Sequence, residues 1–110
     1  MGIKYTDYPI IAVVWHQDGC EACDEFLPKW RQVAAHWQTC IPSIAVDCHQ
    51  YKMAADAYRV SETPTVMILR YGRPSWKRLR GAVTTEELAA FYEQASVGLD
   101  CQLGGAGGET

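Results

Sequence analysis

The residues best suited to chemistry in this sequence are two cysteines, Cys20 and Cys23, separated by two positions. Thiols at this spacing can close a disulfide and open it again, because a thiolate is the attacking group in thiol–disulfide exchange. Only a glutamate and an alanine separate them, and Gly19 precedes them. We therefore predict that the pair is a redox-active dithiol.

The elements on both sides would position this pair. Residues 10–15 are free of proline and rich in β-branched side chains, which predicts a buried strand. After the pair, apolar residues recur at helical spacing and predict an amphipathic helix over about residues 20–38, with Pro28 inside it. The first thiol would then meet the unpaired N–H groups and positive dipole end of the helix, and the second would follow one turn later.

The remaining apolar segments predict three more strands and two more helices. The strands fall at residues 43–47, 65–70 and 76–81, and a short helix falls at about 51–58 with Met53, Ala54, Ala57 and Tyr58 facing inward. A capping box, Thr84 to Glu87, opens the last helix, whose inner face is Leu88, Phe91, Tyr92 and Ala95. This order predicts an α/β fold, a three-layer α/β/α sandwich around a mixed four-stranded sheet. We assign residues 1–9 to an N-terminal segment, 10–96 to the domain, and 97–110 to a flexible Gly-rich tail.

Composition narrows the classes of partner. The formal net charge of −3 over 110 residues leaves no basic footprint for nucleic acid. No apolar run approaches the ~18–20 residues that a membrane span needs. The N-terminus lacks the charged-then-apolar pattern of a secretory signal, so we predict a cytoplasmic protein without nucleic-acid or membrane partners.

Five cysteines make an odd number, so at least one thiol is free or pairs with another molecule. A zinc site is the rival interpretation of the pair, and its ligands would be Cys20, Cys23, Cys48 and His49. Adjacent Cys48 and His49 are not the usual second pair of a zinc site, so we predict no metal. Cys40 and Cys48 are predicted to be packing residues. Cys101 is either a free thiol in the tail or one that reaches another thiol or another molecule.

A set of landmarks along the chain then points to a family. They are Cys20-Glu21-Ala22-Cys23 after a strand, Pro28, Val46-Asp47, Tyr58, Val60, Thr63-Pro64-Thr65, Gly72 and Gly81-Ala82. In these features the chain resembles the thioredoxin family over about residues 10–95. The resemblance implies the thioredoxin-like fold, with the family's extra N-terminal strand and helix trimmed.

The same resemblance implies a function. A thiol–disulfide oxidoreductase of this kind carries out dithiol–disulfide exchange with protein substrates. A redox partner then returns the enzyme to its starting state, and no cofactor is needed. By similarity, Cys20 attacks and Cys23 resolves. Gly19, Thr63 and Pro64 would lie at the substrate groove, with Pro64 preceded by a cis peptide bond.

The sequence also departs from the family pattern. The family has a tryptophan where this chain has Gly19, and Gly-Pro where it has Glu21-Ala22. The family's buried aspartate corresponds to Val14, and the lysine that partners it corresponds to Ser43. Acidic residues surround the pair, and negative charge disfavours a thiolate.

These departures leave two hypotheses. The chain is either a thiol–disulfide oxidoreductase, with His16 as a candidate auxiliary base or cationic partner against the simpler interpretation of a solvated loop histidine, or a catalytically weak binding or structural module that keeps the thioredoxin-like fold. Its Gly-rich tail would then join a larger protein assembly.

Overall fold

A computed structural model of the protein describes residues 8–101, apart from the side chain of Trp76. The strands are β1 (Ile11–His16), β2 (Ser43–Asp47), β3 (Thr65–Arg70) and β4 (Arg73–Arg80). The helices are α1 (Glu21–Trp37), α2 (Lys52–Ala57) and α3 (Thr85–Ala95). The predicted order of elements is confirmed. Across residues 8–101, no helix combines the length and the apolar character needed to cross a bilayer.

The four strands form one mixed sheet in the order β2-β1-β3-β4. β1 pairs with β2 in parallel, so α1 serves as the crossover between them. β3 runs antiparallel to both β1 and β4. The arrangement confirms the predicted mixed four-stranded sheet. The end of β1 and the start of β3 lie at the same end of the sheet, next to the dithiol.

Alternation along the strands divides the core into two layers. Ile10, Ala12 and Val14 point to the side covered by α1 and α3, while Ile11, Val13 and Trp15 point to the other. Ala55 of α2 packs on this second side. Helices therefore cover both faces of the sheet. Side chains alternate between the two faces along a strand, so a strand that is buried throughout needs a cover on each face.

Two details differ from the sequence-based expectation. β4 begins at Arg73, because Tyr71 and Gly72 alone make the turn, with φ of 52° and 82°. Pro74 lies inside β4, which is tolerated because β4 is an edge strand with a single neighbour. In α2, Met53 is 88% exposed and Ala57 is also exposed, whereas Ala55 is buried. The predicted inner face of α2 was therefore wrong at Met53 and Ala57.

The capping box that opens α3 is confirmed. The Thr84 hydroxyl accepts a hydrogen bond from the Glu87 N–H at 3.0 Å, and the Glu87 carboxylate accepts one from the Thr84 N–H at 3.0 Å. These hydrogen bonds lower the pKa of Glu87. The inner face of α3 is buried as predicted, at Leu88, Phe91, Tyr92 and Ala95.

A hydrogen-bonded cluster joins α1, α3 and β2 beneath the sheet. The Tyr92 hydroxyl accepts from Trp30 Nε1 at 3.1 Å and lies 2.7 Å from Ser43 Oγ. Ser43 Oγ is also 3.1 Å from the Ile41 carbonyl oxygen. Burial raises the pKa of Tyr92 to about 12, against the smaller opposing effect of the two hydrogen bonds.

This raised pKa predicts a loss of stability in alkali. The pKa of Tyr92 in the folded protein lies above the unfolded value of about 10. The protonated hydroxyl therefore contributes fully to the free energy of unfolding below pH 10, and this contribution is lost as the pH rises through about 12. We expect about 2–3 kcal/mol of unfolding free energy to be lost over this window. Tyr92→Phe should flatten that part of the profile in urea titrations of protein whose free thiol is alkylated. Parallel profiles for Tyr92→Phe and the wild type would contradict the assignment, and exposed Tyr51→Phe is the matched control.

A second pair of cysteines, besides Cys20 and Cys23, is joined in the structure. Cys40, which follows α1, forms a disulfide with Cys101, and their Cα atoms lie 5.2 Å apart. Cys40 packs against the α1/α3 layer as predicted, but the prediction did not include its disulfide, and of the two alternatives for Cys101 the structure takes the bonded one. Leu99 and Cys101 also pack against the α1/α3 layer, so the packed part of the chain continues past residue 96. The Gly-rich residues of the predicted tail, 104–108, lie outside the described residues.

Candidate redox site

Cys20 occupies the N-cap of α1, between the end of β1 and the first helical turn. Its backbone is extended, with φ of −103° and ψ of 102°, and its Sγ accepts a hydrogen bond from the Cys23 N–H at 3.1 Å. Cys20 and Cys23 form a disulfide, with their Cα atoms 5.2 Å apart. A sulfur in this position receives one of the N–H groups that a helix leaves unpaired at its start.

The two sulfurs differ in access to solvent. Cys20 is half-buried, whereas the Cys23 residue is only 1% exposed. Gly19 precedes Cys20 with φ of +75°, and nothing lies within 4 Å of the place where a Cβ would stand. A side chain at position 19 would therefore be strained by its backbone rather than by crowding, which accounts for glycine there. Because Gly19 has no side chain, the space beside Cys20 at this position is open.

Thr63 and Pro64 form the opposite wall of the site. The peptide bond between them is cis. The Thr63 hydroxyl donates to Cys20 Sγ at 3.5 Å, and Cys20 Sγ lies 3.6 Å from the Thr63 carbonyl oxygen. The latter contact becomes a hydrogen bond when the sulfur carries a proton. Within residues 8–101 the Thr63 N–H has no partner, so it is available to a molecule lying against the site.

Charges near the dithiol work in two directions. The Cys23 N–H and the Thr63 hydroxyl point at Cys20 Sγ and favour an anionic sulfur once the disulfide opens. Glu21 and Asp24 lie in the first turn of α1 and are exposed, as is Asp18. Their carboxylates stabilise the helix end but oppose a second negative charge on the sulfur.

His16 ends β1, beside β2 in the sheet. It lies opposite Asp47 in the parallel register, and its carbonyl oxygen accepts from the Cys48 N–H at 2.8 Å. Over residues 8–101 no hydrogen bond joins the His16 side chain to either sulfur of the pair. The auxiliary role of His16 stays a prediction.

Val14 and Ser43 are the two positions at which the sequence departs from the charged pair of the family pattern. Val14 is fully buried in the α1/α3 layer of the core, without a titratable group of its own. Ser43 is held by Tyr92 and by the Ile41 carbonyl oxygen. Ser43, which the resemblance aligns with a family lysine, is therefore part of a hydrogen-bonded cluster with Tyr92 and Trp30.

Two further residues lie near the site, one a landmark in the sequence and one that was not singled out from it. Gly81, from the Gly81-Ala82 landmark, has φ of +88°, and its N–H donates to the Pro64 carbonyl oxygen at 2.8 Å, which ties the segment before α3 to the cis peptide. Glu62 precedes Thr63, and its carbonyl oxygen accepts from the Thr65 hydroxyl at 2.7 Å. Adjacency to Thr63-Pro64 is the one sequence signal that could have indicated Glu62.

The zinc alternative gains no support from the geometry. Over residues 8–101, no three His, Cys, Asp or Glu side chains come together in a way that could hold a metal ion. Cys48 is a free, half-buried thiol, and burial together with the neighbouring Asp47 raises its pKa.

Comparison with known proteins places these features in context. The family model described as Thioredoxin matches residues 6–94 of the chain. The chain is 24% identical over 90 residues to Thioredoxin Y1, chloroplastic, from Arabidopsis thaliana, a match covering 82% of the chain and 51% of that protein. The chain therefore spans about half the length of this curated relative.

Solved structures show the same fold. The oxidised thioredoxin of Plasmodium falciparum superimposes with a TM-score of 0.73 at 18% identity, over 83% of this chain and 85% of that one. The thioredoxin of Fasciola hepatica superimposes with a TM-score of 0.69 at 25% identity, over 77% of this chain and 79% of that one.

Proposed function

Because the chain belongs to the thioredoxin family, we propose that it is a thiol–disulfide oxidoreductase that acts on protein disulfides through Cys20 and Cys23. The observation that carries the proposal is the asymmetric pair at the start of α1. One sulfur is accessible and held by two donors, and the other is buried beside it. Family membership supports the class of reaction, and the geometry supports the assignment of roles.

The first step is attack by the Cys20 thiolate on a substrate disulfide. A bond forms between Cys20 Sγ and one substrate sulfur, the substrate S–S bond breaks, and the second substrate sulfur leaves as a thiolate. Access decides which cysteine attacks, because Cys23 is almost fully buried. The Cys23 N–H and the Thr63 hydroxyl stabilise the attacking anion.

The second step releases the substrate. Cys23 loses its proton and attacks Cys20 Sγ, which reforms the intramolecular disulfide and expels the remaining substrate sulfur. Two electrons have then passed from the dithiol to the substrate. An external dithiol or a reductase returns them, and this recycling partner is part of the proposal.

Thr63, Pro64 and Gly19 would shape the substrate groove. The Thr63 N–H, which has no partner among residues 8–101, can pair with the backbone of an extended segment, and Pro64 offers no competing donor. Gly19 leaves room beside Cys20 for the segment to approach. The cytoplasmic residence predicted from the sequence stays a prediction.

One observation favours a second candidate, a thioredoxin-fold binding module with slow turnover. Val14 supplies no acid or base beneath the dithiol, and Ser43 is committed to the cluster with Tyr92. Proton removal from Cys23 would then be slow. Such a module would bind partners through the same surface and would join a larger assembly.

Reduction of insulin disulfides separates the two candidates. With dithiothreitol as reductant, the wild type should accelerate the appearance of turbidity, and Cys20→Ser should fall to the rate of dithiothreitol alone. The expected loss is complete, because Cys20→Ser removes the attacking sulfur. Cys48→Ser, which leaves the pair intact, is the matched control and should retain the wild-type rate.

Equal and slow rates for the wild type and Cys20→Ser would favour the binding module. A wild type that is slow with insulin but still forms a covalent complex through Cys20 would locate the defect in the second step.

A further inference from the structure

A cleft of about 320 Å³ lies next to the dithiol site, with Thr63 as the residue between the cleft and the Cys20 sulfur. Its walls are Gln17 from the segment after β1, Cys48 and His49 after β2, one side of α2, and residues 60–63. Thr63 belongs both to this wall and to the dithiol site, because its hydroxyl lies 3.5 Å from Cys20 Sγ. Anything bound against Cys20 and Thr63 can therefore extend into the cleft.

The walls are fixed by hydrogen bonds before any ligand arrives. The Asp47 carboxylate accepts from the His49 N–H at 2.7 Å and from the Gln50 N–H at 3.3 Å, which shapes the turn after β2. These bonds, the one from His49 above all, lower the pKa of Asp47. On the other wall, the Val60 N–H donates to the Ala55 carbonyl oxygen at 2.9 Å.

The cleft lining combines apolar side chains with charged ones, of which two are carboxylates and one is a lysine. Ala55 and Val60 contribute apolar wall, and Lys52 and Asp56 form an exposed ion pair at 3.3 Å in which the two opposite charges offset each other. Glu62 lines the cleft and is exposed, and among residues 8–101 its carboxylate forms no ion pair or hydrogen bond.

Further carboxylates lie close to the dithiol in the chain. Asp18, Glu21 and Asp24 flank Cys20 and Cys23 in the sequence and are exposed. Their negative charge adds to that of Glu62 for a ligand bound at Cys20.

We propose that this cleft receives a lysine or arginine side chain next to the reactive cysteine of the target, and that Glu62 selects it. The inference rests on the proposed function. A target segment that pairs with the Thr63 backbone continues along residues 61 and 62. A long basic side chain can lay its aliphatic stem on Ala55 and Val60 and its charge on Glu62. The volume lies within the range of small-ligand clefts.

The test uses three synthetic peptides, each with one intramolecular disulfide, that differ only in the residue next to one cysteine: Lys, Gln or Glu. Pre-reduced protein is mixed with each peptide, and the second-order rate constant is measured by acid quenching and mass spectrometry. The wild type should react about 3- to 10-fold faster with the Lys peptide than with the Glu peptide, and less so at high salt. Glu62→Gln should remove most of this ratio, and Glu62→Lys should invert it.

Glu86→Gln is the matched control, because it removes the same charge from an exposed position in the first turn of α3. It should keep the wild-type ratio. Equal ratios for Glu62→Gln and Glu86→Gln, or no preference in the wild type, would overturn the proposal while leaving the oxidoreductase assignment intact. Failure of the wild type to react with the Gln peptide would instead overturn the proposed function, and this inference with it.

Discussion

Cys23→Ser is expected to trap the substrate as a stable mixed disulfide on Cys20. The Cys23 sulfur is positioned against Cys20 within the same ring, and intramolecular attack of this kind corresponds to effective molarities of about 10⁵–10⁸ M. A millimolar external thiol cannot replace it, so turnover should fall by at least about 100-fold. The measurement is the yield of a covalent complex on non-reducing gels, confirmed as one substrate per protein by mass spectrometry.

Two variants keep this result interpretable. Cys20→Ser should form no complex, because Cys23 is 1% exposed and cannot reach a substrate disulfide. Cys23→Ser combined with Cys48→Ser should trap as much as Cys23→Ser alone, because burial and Asp47 raise the pKa of Cys48 and keep it a poor nucleophile near pH 7. A complex that is stable only without Cys48 would show that Cys48 resolves the intermediate instead.

Breaking the Cys40–Cys101 disulfide should have the largest effect on stability. The bond joins residues 61 positions apart, and the loop-closure model gives about 4 kcal/mol for a ring of this size. With an unfolding entropy of about 2.1 cal/mol/K per residue, this corresponds to a decrease in Tm of roughly 15–20 °C. Cys40→Ser, Cys101→Ser and the double variant should each lose about the same amount, because all three remove one bond.

The comparison is cleanest in protein that already carries Cys20→Ser and Cys23→Ser, so that added reductant opens the second disulfide alone. Reductant should then bring the otherwise unmodified protein to the Tm of Cys40→Ser. Cys48→Ser, a change at an equally half-buried free thiol, should cost far less. If Cys48→Ser and Cys40→Ser lowered Tm equally, packing rather than the covalent bond would explain the loss.

The sequence predicts most of the fold, because its patterns are long enough to have a period. The apolar run of β1, the helical spacing through Trp30 and Trp37, and the capping box at Thr84 each lead to an element that the structure contains. The prediction fails in α2, because six residues provide fewer than two turns from which to define a face. It also missed the start of β4, because a proline in an edge strand looks like a turn.

The site is only partly predictable, for a different reason. Cys20 and Cys23 are neighbours in the chain, so their relation is local, and Thr63-Pro64 is a recognisable motif. Contacts that depend on tertiary packing leave no such signal. The disulfide between Cys40 and Cys101 depends on where residues after α3 return to the end of α1. The cleft at Glu62 depends on how α2 sits beside the loop before β3.

The two disulfides lie at opposite ends of a single helix. Cys20 caps the start of α1, and Cys40 follows its end after 17 helical residues, which at 1.5 Å per residue separates the two by about 25 Å. No sulfur of one pair can attack the other across that distance within a folded molecule. With both disulfides formed, the protein can thus take up two electron pairs that do not pass directly from one cysteine pair to the other, and a single redox titration of it should resolve into two independent couples.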